Sequence, residues 1–271
     1  MMPVELWVQM PAEISPKMPP KSLSKKPLIE AILEIKWRLP DESSAPPVDA
    51  DYRLFVGRFF DRMREHYPSF ETLPTAQVPE GMLQHVAQYR FRVQEGKWPL
   101  VQIGSGLLTL NDTEGYRWED FESRAILALD VLTASYPVEL HIKSLLLRYI
   151  NAVQVDFETC DITIFLRDKL KVGVMFPDAL FQSGDAERTV QALALQAGFR
   201  STKPPGNVQL KFARGKAREK DAVIWETSVH SFEKDLPALP REFSSWLGAA
   251  HEIAEDWFFK LIDGDLLHQF E

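Results

Sequence analysis

PLVQIGSGLLTLNDTEGYRWEDF (residues 99–121) and KSLLLRYINAVQVDF (residues 143–157) are the stretches on which the reading of this chain turns. Leu100-Val101-Gln102-Ile103 is a short β-forming run. It stops at Gly104-Ser105-Gly106, and Leu107-Leu108-Thr109-Leu110 resumes it. Glycines on either side of a serine permit a positive φ or a kink without a Cβ penalty, so the chain is expected to turn there. Asn111-Asp112 supplies turn chemistry after the second run, and Thr113 is the expected N-cap of a helix. Trp118, Phe121, Ala125, Leu129 and Leu132 recur at three-to-four spacing, which predicts a helix with one buried face. LLLRYINAV (residues 145–153) is nearly all apolar and predicts a central strand. Arg148 interrupts it. A guanidinium keeps its proton, so a covered strand must give it a carboxylate or carbonyl partner.

Outward from this centre, residues 28–38 alternate: Ile29, Ala31, Leu33, Ile35 and Trp37 take one face, Glu30, Ile32, Glu34, Lys36 and Arg38 the other. A loop is expected over 40–47. Tyr52, Phe55, Phe59, Met63 and Tyr67 predict a helix that stops before Pro68. Residues 84–94 alternate again, and Glu95-Gly96-Lys97 turns them into the Leu100 run as a hairpin. In the second half, Asp161 caps a short helix through Leu170, and residues 189–199 read as a strand. Residues 208–213 and 222–232 alternate around a polar tip at 214–221. Phe243, Trp246, Leu247, Ala250, Ala254, Trp257, Phe258 and Leu261 stripe a final helix over 240–262, expected to dock on the second-half sheet.

The expected fold is therefore α+β, in two packed halves (25–137 and 138–271), each a mostly antiparallel sheet with helices on one face. The similar order of elements in the halves is compatible with a structural duplication. The proline-rich residues 1–24 read as an extended or disordered arm.

KKPLIEAILEIKW (residues 25–37), PLVQIGSGLLTLN with YRWEDF, and LLLRYIN together resemble the blocks of a sporadically distributed, functionally uncharacterised family of prokaryotic proteins. The closing helix, with LGAAH (247–251) and WFF (257–259), is similar to that family's last helix. The resemblance implies a soluble protein of the kind found in mobile, accessory or defence-related systems.

At 271 residues, 45% hydrophobic and 26% charged, the composition is that of a globular chain with a sizeable core. The net charge of −8 weighs against a dedicated nucleic-acid binder, which usually carries a basic surface. One cysteine, Cys160, excludes an internal disulfide and a cysteine zinc cluster. No apolar run reaches the roughly 18 residues of a membrane helix, and the N-terminus lacks a basic-then-apolar leader pattern. The expected location is cytoplasmic, without membrane contact.

Recognisable reaction chemistry is sparse. No phosphate-binding glycine loop is present, and Gly104-Ser105-Gly106 fits neither a dinucleotide turn nor a nucleophile elbow. His251-Glu252 opens like a metalloprotease helix, but Glu255 stands where the second histidine is needed, so a hydrogen-bonded helix histidine is the better reading. No catalytic residue, metal site or cofactor is assigned. The candidate binding residues are Glu30, Glu34, Arg90, Arg92, Arg148 and Asn151, on strands expected to share a polar sheet face; cross-strand ion pairing is the structural account, an anion or acidic-peptide pocket the functional one. Tyr116 and Trp118 read as core anchors. Lys211, Arg214, Lys216, Arg218 and Lys220 form a second candidate, a basic hairpin that could track phosphates. Three functions follow in order: a non-catalytic interaction or accessory protein with a protein partner or a second copy of itself; a nucleic-acid-associated protein using the basic hairpin; and an enzyme whose site is assembled from distant residues such as Glu30, Arg148 and His251.

Overall fold

The alternating run at the start of the first half becomes β1 (Leu28–Trp37), which lies at the centre of a sheet that joins both halves of the chain. The computed structural model describes residues 23–39, 49, 51–79, 82–113 and 115–271. After β1 come α1 (Tyr52–Met63), β2 (Ser69–Thr72), β3 (Tyr89–Arg92), β4 (Leu100–Gly104), β5 (Leu107–Asp112) and α2 (Trp118–Ser135). The second half supplies β6 (Ile142–Gln154), α3 (Ile162–Leu170), β7 (Ala194–Thr202), β8 (Pro205–Ala217), β9 (Lys220–Phe232), α4 (Phe243–Ile262) and α5 (Asp265–Phe270). These nine strands form one sheet, in the order β2-β3-β4-β5-β1-β6-β9-β8-β7. Every pairing in it is antiparallel.

The period-two pattern decides which face is dry. Ala31, Leu33, Ile35 and Trp37 of β1 are fully buried, and so are Leu145 and Leu147 opposite them on β6. Against this face pack Phe55, Phe59 and Met63 of α1, Phe121, Ala125 and Leu132 of α2, and Phe243, Trp246, Leu247 and Ala250 of α4. A second apolar cluster gathers Ile162, Leu166 and Leu170 of α3 with Leu266, Leu267 and Phe270 of α5. It rests on Val153, Phe212, Val223 and Trp225 of the same sheet face. All five helices thus cover one face, the economical way to bury an antiparallel sheet on one side.

Several expectations need correction. The two halves do not build separate sheets: β1 and β6 pair over most of their length, and the main core draws on residues from both sides of position 137. The final helix likewise packs on α2 as well as on β6 and β9, because its N-terminal stripe belongs to that shared core. It begins at Phe243, and α5 follows it. Helix α1 ends at Met63, short of Tyr67. Residues 69–72 form an edge strand too short to show a period. Thr113 is not a helix cap; α2 starts at Trp118 with Arg117 in extended conformation at the cap, and the Thr113 N–H donates to Asp112 Oδ1 at 2.8 Å. The alternation over 189–199 becomes a strand only from Ala194. The arm over 1–24 lies outside the described residues except for Leu23 and Ser24, and the loop expected at 40–47 lies wholly outside them.

Other local readings hold. Asp161 accepts hydrogen bonds from the N–H groups of Thr163 (2.7 Å) and Ile164 (3.3 Å), capping α3. At the Gly104-Ser105-Gly106 turn the two glycines serve different ends. Gly106 has φ +74°, whereas a Cβ on Gly104 would lie 1.9 Å from the Val86 carbonyl oxygen.

Candidate functional site

The second sheet face carries most of the charged candidates, and their charges are already satisfied there. Glu71 takes both first-half arginines: Arg90 Nη1 donates to its Oε2 at 3.1 Å and Arg92 Nε to its Oε1 at 2.5 Å. Arg90 also donates twice to Gln102 Oε1, at 3.1 and 3.2 Å. Glu30 accepts from Asn111 Nδ2 at 2.8 Å, and Glu34 from Lys36 Nζ at 2.7 Å. Arg148 finds Glu226, not Glu30 or Glu34. Its Nε lies 3.3 Å from Glu226 Oε1, at ion-pair distance but without hydrogen-bond alignment, and Lys211 Nζ reaches the same oxygen at 3.3 Å. The arginines therefore meet carboxylates two strands or fewer away, the cross-strand pairing of an ordinary sheet.

The basic hairpin does not form one patch. Its strands run further than the alternation suggests, leaving only Arg218 and Glu219 at the tip, both with positive φ. Lys211 faces the ion-paired side. Arg214 turns to the other side, 4.2 Å over the Phe157 ring, and donates to the Val190 carbonyl at 3.0 Å. Lys216 stands opposite Asp221 in the ladder, and Lys220 opposite Ala217.

Asn151 separates from the other candidates for a reason legible in its number. It is three residues from Arg148, an odd spacing, so it points to the opposite, helix-covered face. There it lines a cavity of about 370 Å³ enclosed by the start of β1, by β6 and β9 beneath, and by α4 and the N-terminal turn of α2 above. The α4 side comes from His251, Ala254, Glu255, Phe258 and Phe259, whose three-to-four spacing puts them on one helix face. Tyr116 and Trp118 enter from the segment leading into α2, whose first turn bears Glu119 and Asp120, acidic residues that suit a helix N-terminus.

A chain of hydrogen bonds runs along one wall. Tyr116 Oη lies 2.8 Å from Tyr149 Oη, which lies 2.9 Å from His251 Nδ1. The indole of Trp118 stacks on the His251 imidazole with ring centroids 3.8 Å apart and planes within 7°. Burial holds His251 neutral, pushing its pKa down to about 4. Burial also raises the Tyr149 and Tyr116 phenols above their ordinary range. At neutral pH this wall therefore offers hydrogen-bonding dipoles and no net charge. Lys26, at the mouth, donates to the Tyr116 carbonyl at 2.6 Å.

The floor is different. Among the described residues the hydroxyl oxygen of Thr227, 1% exposed, has no hydrogen-bond partner, and the amide of Asn151, 2% exposed, makes no hydrogen bond. Buried polar groups are usually paired, and what sets this floor apart from the other buried polar atoms without a partner, such as Ser135 Oγ and Ser201 Oγ, is that Asn151 and Thr227 both line the cavity. Because Tyr149 pairs with Thr227 and Asn151 with Trp225, the two unpaired side chains are diagonal neighbours on one sheet face.

Of this constellation, the sequence reading singled out Asn151, assigned Tyr116 and Trp118 to the core, and placed His251 as a hydrogen-bonded helix residue, which it is. It missed Thr227 and Tyr149. The available signal was the pair Tyr149 and Asn151, two polar-tipped residues at even spacing on a strand face that otherwise carries Leu145, Leu147 and Val153. Among the described residues no group of three or more His, Cys, Asp or Glu side chains is placed to hold a metal, and no helix is long and apolar enough to cross a membrane. Comparison with known proteins finds no matching family model, no matching curated protein and no matching solved structure.

Proposed function

We propose that this chain is a non-catalytic accessory protein that binds a small organic ligand in the cavity between β6, β9, α2 and α4. One observation carries the reading: the Asn151 amide lines the cavity floor without a hydrogen bond among the described residues, beside the unpaired Thr227 hydroxyl, whereas the charged groups of the opposite face are paired with one another. A protein tolerates buried unpaired polar atoms at a cost of about 1–3 kcal/mol each, a cost a bound ligand removes. The ionisation states favour binding over turnover. The neutral histidine and high-pKa phenols give hydrogen bonds but make a poor acid–base pair near neutrality. The setting, a partner-dependent accessory role in a prokaryotic defence-related or mobile system, rests on the resemblance of the sequence blocks alone.

The strand order also supports reading the chain as a structural duplication. In each half the first strand is central, the last strand lies beside it, and the earlier ones run outward: β1, β5, β4, β3, β2 on one side and β6, β9, β8, β7 on the other. Each half also places a helix after its first strand and another after its last.

The test of the binding function is a ligand-observed NMR screen of small polar aromatic fragments against the full chain and against the Asn151→Leu/Thr227→Val double variant. Fragments that bind the parent and lose binding in the variant support the reading. A screen in which no fragment distinguishes the two proteins overturns it.

A further inference from the structure

We infer that the ligand of this cavity is an uncharged, planar heterocycle with an amide or amidine edge, of which the nucleobases are representatives. The inference rests on the reading of the cavity as a binding site and narrows it by chemistry.

The first argument is the floor. A side-chain amide presents a carbonyl oxygen and an NH₂ side by side. That pair is complementary to a ring edge on which a donor and an acceptor are neighbours, the geometry by which asparagine reads adenine bidentately. Thr227, its diagonal neighbour, lines the same floor, and its hydroxyl, which can donate or accept, lies just beneath the surface. A carboxylate or phosphate is a poor match: the floor holds no cation, and burying an unpaired charge there is costly. The charged lining groups are Lys26, Arg117 and Glu119, exposed at the mouth, and the half-buried Glu255 on the α4 side, two of each sign.

The second argument is the walls. Trp118 lies flat on His251, and Phe258 and Phe259 close the α4 side. Flat aromatic surfaces around a polar floor favour a flat occupant, as in sites that hold a base between aromatic side chains while reading its edge. At about 370 Å³ the cavity stands at the small end of the range for ligand pockets, suited to one or two fused rings rather than a long chain.

The experiment is isothermal titration of the full chain with three probes: adenine, uracil and indole. Indole matches a purine in size and planarity but has a single N–H and no amide edge. At least one base should bind more tightly than indole, by about 5- to 150-fold, the discrimination of a good bidentate pair. In Asn151→Leu that preference should disappear while indole binding persists, which also shows that the variant is folded with its cavity intact. Indole binding as tightly as both bases, or a preference for bases that survives in Asn151→Leu, overturns the ligand class and leaves the cavity as a binding site. No binding by any of the three overturns both.

Discussion

Thr227→Val exchanges one hydroxyl for a methyl group and keeps the β-branched shape, so β9 loses neither strand propensity nor volume. In the free protein Thr227 is 1% exposed and its hydroxyl oxygen has no partner among the described residues. A polar group left in that state costs about 1–3 kcal/mol, and the substitution removes the cost. The new methyl also gains an apolar environment, worth up to about 0.8 kcal/mol if fully buried. Part of the side chain faces the cavity rather than packed atoms, so the expected stabilisation is at the lower end, about 1–2 kcal/mol. The assay is equilibrium urea unfolding followed by tryptophan fluorescence, with seven tryptophans as reporters. The midpoint should rise with an unchanged m-value, since the same surface is exposed on unfolding. A gain in stability from removing a buried polar group is the mark of a residue kept for binding rather than folding. A loss of 1 kcal/mol or more would refute the reasoning, because the hydroxyl would then be satisfied in the free state and belong to the architecture.

The remaining predictions address other parts of the molecule. His251 titrates near 4 when folded against about 6.5 when unfolded, so the unfolded chain binds more protons between those values. Its contribution is present above pH 6.5 and is lost as pH falls towards 4, amounting to about 3 kcal/mol for the shift. Urea midpoints measured from pH 7 to pH 4 should therefore fall less steeply in His251→Gln than in the parent; parallel curves would contradict the assignment. Arg148→Leu should cost no more than about 1 kcal/mol, because Arg148 is partly exposed and Lys211 also holds Glu226. Combining it with Lys211→Leu should cost more than the two single changes summed, and simple additivity in denaturation would show that Glu226 does not depend on them. Glu219→Gly should stabilise by about 0.5–1 kcal/mol, since Glu219 holds φ +64° at a hairpin tip where glycine is unstrained; a lower thermal midpoint would count against this. Ending the chain after Pro237 removes Phe243, Trp246, Leu247 and Ala250 from the main core and should cause aggregation or non-cooperative unfolding, whereas a soluble, folded, monomeric truncation would assign α4 to association.

Local order and covalent geometry made much of this protein legible in one dimension. The alternation of residues 28–37 and the spacing of Trp118, Phe121, Ala125, Leu129 and Leu132 specify a strand and a helix, because side-chain periods of 2 and 3.6 follow from backbone geometry. Asp161 as a cap and the two glycines around Ser105 were readable for the same reason: each acts on its immediate neighbours. The α+β class followed from the order of such elements. Where the signal was short or crowded it failed. Edge strand β2 has four residues, too few to show a period, and the alternating residues 189–193 stay outside the strand because their ladder with β8 begins at Ala194, with a single backbone hydrogen bond from Arg214 to the Leu193 carbonyl beyond it.

Long-range pairing was decided only in three dimensions. That β1 lies beside β6, making one sheet of two expected sheets, depends on residues more than a hundred positions apart, and nothing local encodes it. The same holds for the partner of Arg148. Charge complementarity pointed to Glu30 or Glu34, and register chose Glu226 instead by placing Lys211 and Arg148 on either side of it. The cavity is the extreme case. Asn151 and Thr227 lie 76 positions apart in the sequence and become neighbours only when β6 pairs with β9. Their lack of partners is a property of what surrounds them. A sequence lists which polar groups a chain carries, but whether each finds a partner is settled by packing.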